Sequence, residues 1–204
     1  MITIYGMTDS GNCYKPRLLM AMLGRPFRHV EVNSLSGVTR EPAFLAKNRN
    51  GKVPLLELED GRRIAESNAI LLYLAEGTLY LPADAYERAL VNQWLFFEQY
   101  SHEPYVAVRR AILKYPERAW QKTPERLADT LSAGTRALGV MEHRLAESPF
   151  LAGDALSVAD IALYAYTHDA DLWGFELGDA TRAWLDRVRA APGHVPLDWQ
   201  PAAA

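Results

Sequence analysis

Apolar and polar positions alternate over residues 2–5 (ITIY), the two-residue period of a strand. From Ser10 the period changes. Leu18, Leu19, Met22 and Leu23 fall at helical spacing, and Gly24 is a natural stop. Residues 28–32 (RHVEV) predict a second strand. Residues 53–66 (VPLLELEDGRRIAE) predict a hairpin that turns at Asp60-Gly61. The stretch ESNAILLYLAEG then predicts a helix with Ser67 as its N-cap and Gly77 as its terminator. The order is β-α-β followed by β-β-α, a compact α/β domain over residues 1–77.

Beyond a short linker, residues 78–85, the pattern is helical. Periodic stretches run through RALVNQWLFFEQY, PERLADTLSAGTRALGVMEHRLAES, VADIALYAYTHDADLW and DATRAWLDRVRAA, with no convincing strand from Ala83 onward. Thr123 before Pro124 is a good helix start. Ser157 with Asp160 three residues on forms a short capping box. Residues 86–204 are therefore expected to form an all-α domain, its PAAA tail frayed. There are no repeats.

Composition narrows the classes. With 204 residues and 49% hydrophobic content, the chain holds enough apolar material for a real core. A net charge of −3 predicts neither a nucleic-acid nor an anionic-membrane surface. No window approaches the ~18 apolar residues of a bilayer span. The opening MITIYGM lacks the basic region and long apolar stretch of a signal peptide and reads as a strand at once. A single cysteine precludes an internal disulfide, and the five histidines show no short ligand spacing, so no metal is expected. The cytoplasm is the expected location.

Three segments carry candidate chemistry. Ser10, Gly11 and Asn12 fall on a strand-to-helix loop, where unpaired N–H groups and a partial positive charge favour an anion or a thiolate. The spacing to Cys13 is that of a C-x-x-C motif with serine first, so dithiol exchange within one chain is excluded. The plain alternative is that Ser10 and Asn12 only cap the helix and Cys13 is a small buried residue. Pro54 opens a strand, and Val53 before it can offer its backbone to an extended peptide, with Lys52 adding a cation. Glu66 and Ser67 stand where a strand meets a helix, placed to take an ammonium and a carboxylate. For each pair the alternative is an ordinary turn or cap.

Together, SGNCYKPRLLMAMLG, NGKVPLLELEDGRRIAESNAILLYL and FLAGDALSVADIALYA resemble the glutathione transferase superfamily over the entire chain. The resemblance implies a thioredoxin-like N-terminal domain and glutathione as co-substrate, without a metal. It implies that Ser10 activates the thiol, with Asn12 sharing that work; Tyr5, at the end of the first strand, and Asn12 are rivals for the same task. Lys52 matches a contact to the glycine end, and Val53 matches the backbone-pairing residue. Pro54 matches a cis-proline, and Glu66 with Ser67 match the grip on the γ-glutamyl end. Ser157 and Asp160 match a capping motif and are assigned to folding. Pro16 departs from the pattern and predicts a helix beginning near Cys13.

Glu98, His102, Tyr105 and Arg109 fall at offsets of four, three and four. On one helix they share a face, read as an electrophile pocket lining a cleft between the domains, or as a solvated face or subunit contact. Pro104 is expected to bend that face. The expected reaction is conjugation of glutathione to small hydrophobic electrophiles, in the service of detoxification. The alternatives are glutathione-dependent reduction of disulfides or peroxides, and a non-catalytic binding or assembly protein. The resemblance also implies a homodimer.

Overall fold

A computed structural model of the chain describes residues 1–201. Ala202–Ala204, part of the tail expected to fray, lie outside the described residues. Its contacts divide it into two units: Met1–Glu76 together with the segment from Ala191 on, and Gly77–Ala190.

The first unit is built on a four-stranded mixed sheet in the order β2-β1-β3-β4. Strand β1 (Thr3–Gly6) pairs in parallel with β2 (Arg28–Glu31) and antiparallel with β3 (Leu55–Glu57), which pairs antiparallel with β4 (Arg63–Ala65). Between β1 and β2 runs α1 (Gly11–Met22). A short 3-10 turn (Val38–Arg40) and the single-turn α2 (Pro42–Leu45) lie between β2 and β3; α3 (Ser67–Ala75) follows β4. The β-α-β, β-β-α order is thus present.

Alternation along β1 sends Tyr5 into an apolar cluster with Val32, Phe44 and Leu55 on one face. Gly6 faces the other way. A Cβ there would lie 3.0 Å from Cys13 Cβ and 3.1 Å from its sulfur, so the approach of α1 to the sheet requires glycine.

Three local expectations change. Helix α1 begins at Gly11 rather than near Cys13, and Pro16 stands inside it. The proline removes the donor that would reach the Asn12 carbonyl, but burial of Cys13, Tyr14, Leu18, Leu19 and Met20 outweighs that local cost. Ser67 is the first helical residue of α3, not its cap; Glu66 takes the cap position at φ 69° and ψ 118°. Residues 191–201, expected in the helical domain, pack with the first unit. Arg17 binds the Leu197 and Trp199 carbonyls, and the Trp199 ring lies 6.2 Å from that of Phe27.

The second unit holds α4 (Ala85–Phe97), α5 (Glu103–Lys114), α6 (Pro124–Glu147), α7 (Val158–Thr167) and α8 (Asp179–Arg189). Every residue of α7 is buried, as befits a helix apolar all round. Its capping box forms as expected. Asp160 accepts from the Ser157 N–H and hydroxyl, and also from the Leu151 N–H and the Trp184 indole, each at 2.9–3.0 Å. A single buried carboxylate therefore joins the approach to α7, its first turn and α8. Asp160→Ala strands these donors in the core. The expected loss is about 3 kcal/mol or more, a fall of at least about 6 °C in the melting temperature; thermal denaturation showing no shift contradicts this account of Asp160.

Candidate functional site

Ser10 caps α1 in extended geometry, and its Oγ accepts from the Cys13 N–H at 3.4 Å. Capping uses an oxygen lone pair; the hydroxyl hydrogen is given to the Cys13 thiol. Cys13 itself is wholly buried. Burial pushes its thiol up to about 11, against the opposing pull of the Ser10 hydroxyl, the Met7 backbone and Arg17. For Cys13 itself the structure shows the buried residue of the plain reading.

The α1 loop meets the start of α3. Ser67 Oγ donates to Asn12 Oδ1 at 3.3 Å and accepts from Lys15 Nζ at 3.3 Å; the same ammonium donates to Asn68 Oδ1 at 3.5 Å. No side chain caps α3, and among the described residues the Ser67 N–H has no partner. A positive φ on a non-glycine residue costs about 1–3 kcal/mol, and Glu66 bears that strain at the N-terminus of α3.

The Val53–Pro54 peptide is cis. Among the described residues, neither the N–H nor the C=O of Val53 has a hydrogen-bond partner. Lys52 is exposed, and its carbonyl accepts from Asn48 Nδ2 at 2.8 Å. This loop therefore presents a free backbone donor and acceptor beside an exposed cation.

Tyr5 is placed otherwise. Its hydroxyl donates to Glu57 Oε1 at 3.4 Å and accepts from Lys47 at 3.5 Å, while its ring packs in the cluster on the sheet face away from Cys13. This leaves Ser10 and Asn12 as the residues at the α1 end.

The expected electrophile face does not form. Instead of one continuous helix, the chain widens into a π-turn over Glu98–His102, where the Glu103 N–H reaches the Glu98 carbonyl. Pro104 follows two residues after the turn; its missing N–H and its ring disfavour an uninterrupted α-helix there, and the wider turn shifts the phase by one residue. Glu98 and His102 are fully buried, with His102 Nε2 2.9 Å from Thr167 Oγ1. Arg109 donates to the Trp173 carbonyl at 2.6 Å and the Leu127 carbonyl at 2.8 Å. Tyr105 is half-buried. His102, fully buried, cannot line an open pocket, and Arg109 bonds the carbonyls of two other segments of the helical unit.

Sequence patterning missed two buried cations of α1, Lys15 and Arg17. Their signal was present as charges set inside an otherwise apolar helix. Among the described residues no group of three or more His, Cys, Asp or Glu side chains is arranged to hold a metal, and no helix is long and apolar enough to cross a membrane.

Comparison with known proteins agrees with this geometry. The family model for the glutathione S-transferase N-terminal domain matches residues 4–77, and that for the C-terminal domain matches residues 124–200. A glutathione S-transferase from Pseudomonas fluorescens Pf-5 superposes with a TM-score of 0.92 at 49% identity, over 96% of this chain and 98% of that one. Glutathione S-transferase F10 of Arabidopsis thaliana is 34% identical over 86% of this chain and 80% of its own. The disulfide-bond oxidoreductase YfcG of Escherichia coli K12 is 29% identical over 94% and 92%. The chain belongs to the glutathione S-transferase superfamily, and its relatives include both transferases and a disulfide-bond oxidoreductase.

A thiol held at about 11 is ionised in about one molecule in ten thousand at pH 7. Cys13 is therefore expected to resist iodoacetamide in the native protein and to react fully in denaturant. Rapid native alkylation, read by mass spectrometry, contradicts its assignment as inert.

Proposed function

We propose that the first unit binds glutathione and lowers the pKa of its thiol for attack on small hydrophobic electrophiles. The observation that carries this reading is the pair of unsatisfied backbone sites, Val53 and the Ser67 N–H, with Asn12 hydrogen-bonded to Ser67. Glutathione has a peptide backbone to pair with Val53. Its γ-glutamyl carboxylate suits the uncapped end of α3, and Glu66 is the counter-charge for the adjacent ammonium. Lys52 meets the glycine carboxylate.

Ser10 turns its hydroxyl hydrogen from the Cys13 thiol to the sulfur of bound glutathione. A free alkyl thiol ionises near ~8.5, and a hydrogen bond plus the positive end of α1 favours the thiolate. The thiolate then forms a bond to the electrophilic carbon and expels the leaving group with its electron pair. Asn12, bonded to Ser67, fixes the loop and stands next to the same sulfur.

Reduction of disulfides is the second reading, favoured by the likeness to the oxidoreductase of Escherichia coli. Because Cys13 is buried, the attacking sulfur in that case also belongs to glutathione. It attacks one sulfur of the disulfide and expels the other as a thiolate, giving a mixed disulfide; a second glutathione thiolate attacks the glutathione sulfur of that product, forming oxidised glutathione and expelling the second substrate thiolate. Turnover of a chlorinated nitroarene against hydroxyethyl disulfide ranks the two reactions.

Ser10→Ala is expected to lower kcat/KM about 100-fold with the better substrate, and to leave glutathione affinity within about threefold by calorimetry. A larger loss in Asn12→Ala than in Ser10→Ala transfers the donor assignment to Asn12. Absence of any heat of binding with glutathione contradicts the proposal.

A further inference from the structure

Thr8 begins the loop that leads to Ser10, and all of its polar groups are held. Its N–H donates to both carboxylate oxygens of Glu31, at 3.1 and 3.0 Å, and its hydroxyl donates to Glu31 Oε2. Gln200 Nε2 donates to Thr8 Oγ1 at 2.6 Å. The Thr8 carbonyl accepts from Arg17 Nη2. Partial burial opposes ionisation of Glu31, yet the Thr8 hydroxyl and N–H, with His29, hold its carboxyl below the ordinary range.

Arg17 is fully buried on α1, one turn beyond Cys13. Its guanidinium gathers four carbonyls from three parts of the chain: Thr8, Cys13 at 3.3 Å, Leu197 at 2.8 Å and Trp199 at 2.7 Å. A planar fork of five donors can serve such a set, whereas a lysine ammonium cannot span it. The C-terminal segment is seated closely to reach Arg17. Gly193 has φ 76°, and a Cβ there would lie 2.8 Å from Met22 Cα and 2.9 Å from the Ala21 carbonyl oxygen. The Tyr14 hydroxyl donates to the Val195 carbonyl.

We infer that Arg17 is a positioning residue for the thiol-activating loop, and that the segment 191–201 is a working part of the site. Arg17 ties that segment to the Thr8 carbonyl, two residues before Ser10. The Ser10 N–H in turn donates to the Met7 carbonyl at 3.0 Å, closing the loop into a turn. The direction of the Ser10 hydroxyl is therefore set by a clamp that never touches the substrate. This inference rests on the reading of the first unit as a glutathione site.

The test compares the intact protein with Arg17→Lys, which keeps the charge and loses the fork, and with Gly193→Val, which lifts the C-terminal segment off α1 while leaving every residue of the loop in place. The pKa of enzyme-bound glutathione is read from its thiolate ultraviolet absorbance against pH. In both variants it is expected to rise by about one unit, so that kcat/KM falls about tenfold at neutral pH and recovers at higher pH. Glutathione affinity is expected to stay within about threefold. A bound-thiol pKa equal to that of the intact protein in both variants overturns the inference, and a loss of stability alone does not count for it. Should Arg17→Lys fail to fold, Gly193→Val decides. Should the intact protein bind no glutathione, the functional reading falls, and amide hydrogen exchange over residues 7–13 judges the clamp. Faster exchange in Gly193→Val supports the clamp; unchanged exchange overturns it.

Discussion

Two helices begin beside each other, and intrahelical bonds leave the first-turn N–H groups of both unmet. One hydroxyl joins them: Ser67 Oγ, on the first residue of α3, donates to Asn12 in the first turn of α1 and accepts from Lys15 one turn further along. Two partial positive charges are thereby brought to one region of the first unit, with a buried ammonium beside them. A helix N-terminus of this kind favours a negative group. In the proposed function, the γ-glutamyl carboxylate and the thiolate of glutathione are those groups.

The rest of the first unit serves this arrangement. The sheet buries Tyr5, Leu55 and their neighbours on one face and frees the other for α1. The strain at Glu66 and the unpaired backbone of Val53 are local costs that a fold alone has no reason to retain. Arg17 ties the Leu197 and Trp199 carbonyls to that of Thr8, two residues before Ser10, and in the inferred clamp this fixes the loop. Electrostatic catalysis depends on such rigidity, because a donor that must reorganise during the reaction stabilises the thiolate less.

Much of this was legible in the residues. Alternation located the strands, and Ser10, Thr123 and Ser157 announced their helices through capping chemistry that acts within three residues. Whatever depended on distant partners was less visible. Pro104 signalled a disturbance but not a π-turn, and the offsets of Glu98, His102, Tyr105 and Arg109 assumed a regular helix. With its phase shifted, a stripe that resembled a pocket is in large part core. The C-terminal segment carries no periodic signal, since its placement rests on carbonyls offered to Arg17 about 180 residues earlier. Lys15 and Arg17 were visible as charges in an apolar helix, but their partners belong to elements that local patterning does not join.

The most direct measurement of the central claim is a crystal structure of the protein with reduced glutathione bound. The account predicts the sulfur within about 3.5 Å of Ser10 Oγ, the γ-glutamyl carboxylate on the Ser67 N–H, and the tripeptide backbone paired with Val53. Glutathione bound with its amino-acid head away from α3, or with its sulfur nearest the Tyr5 hydroxyl, contradicts it.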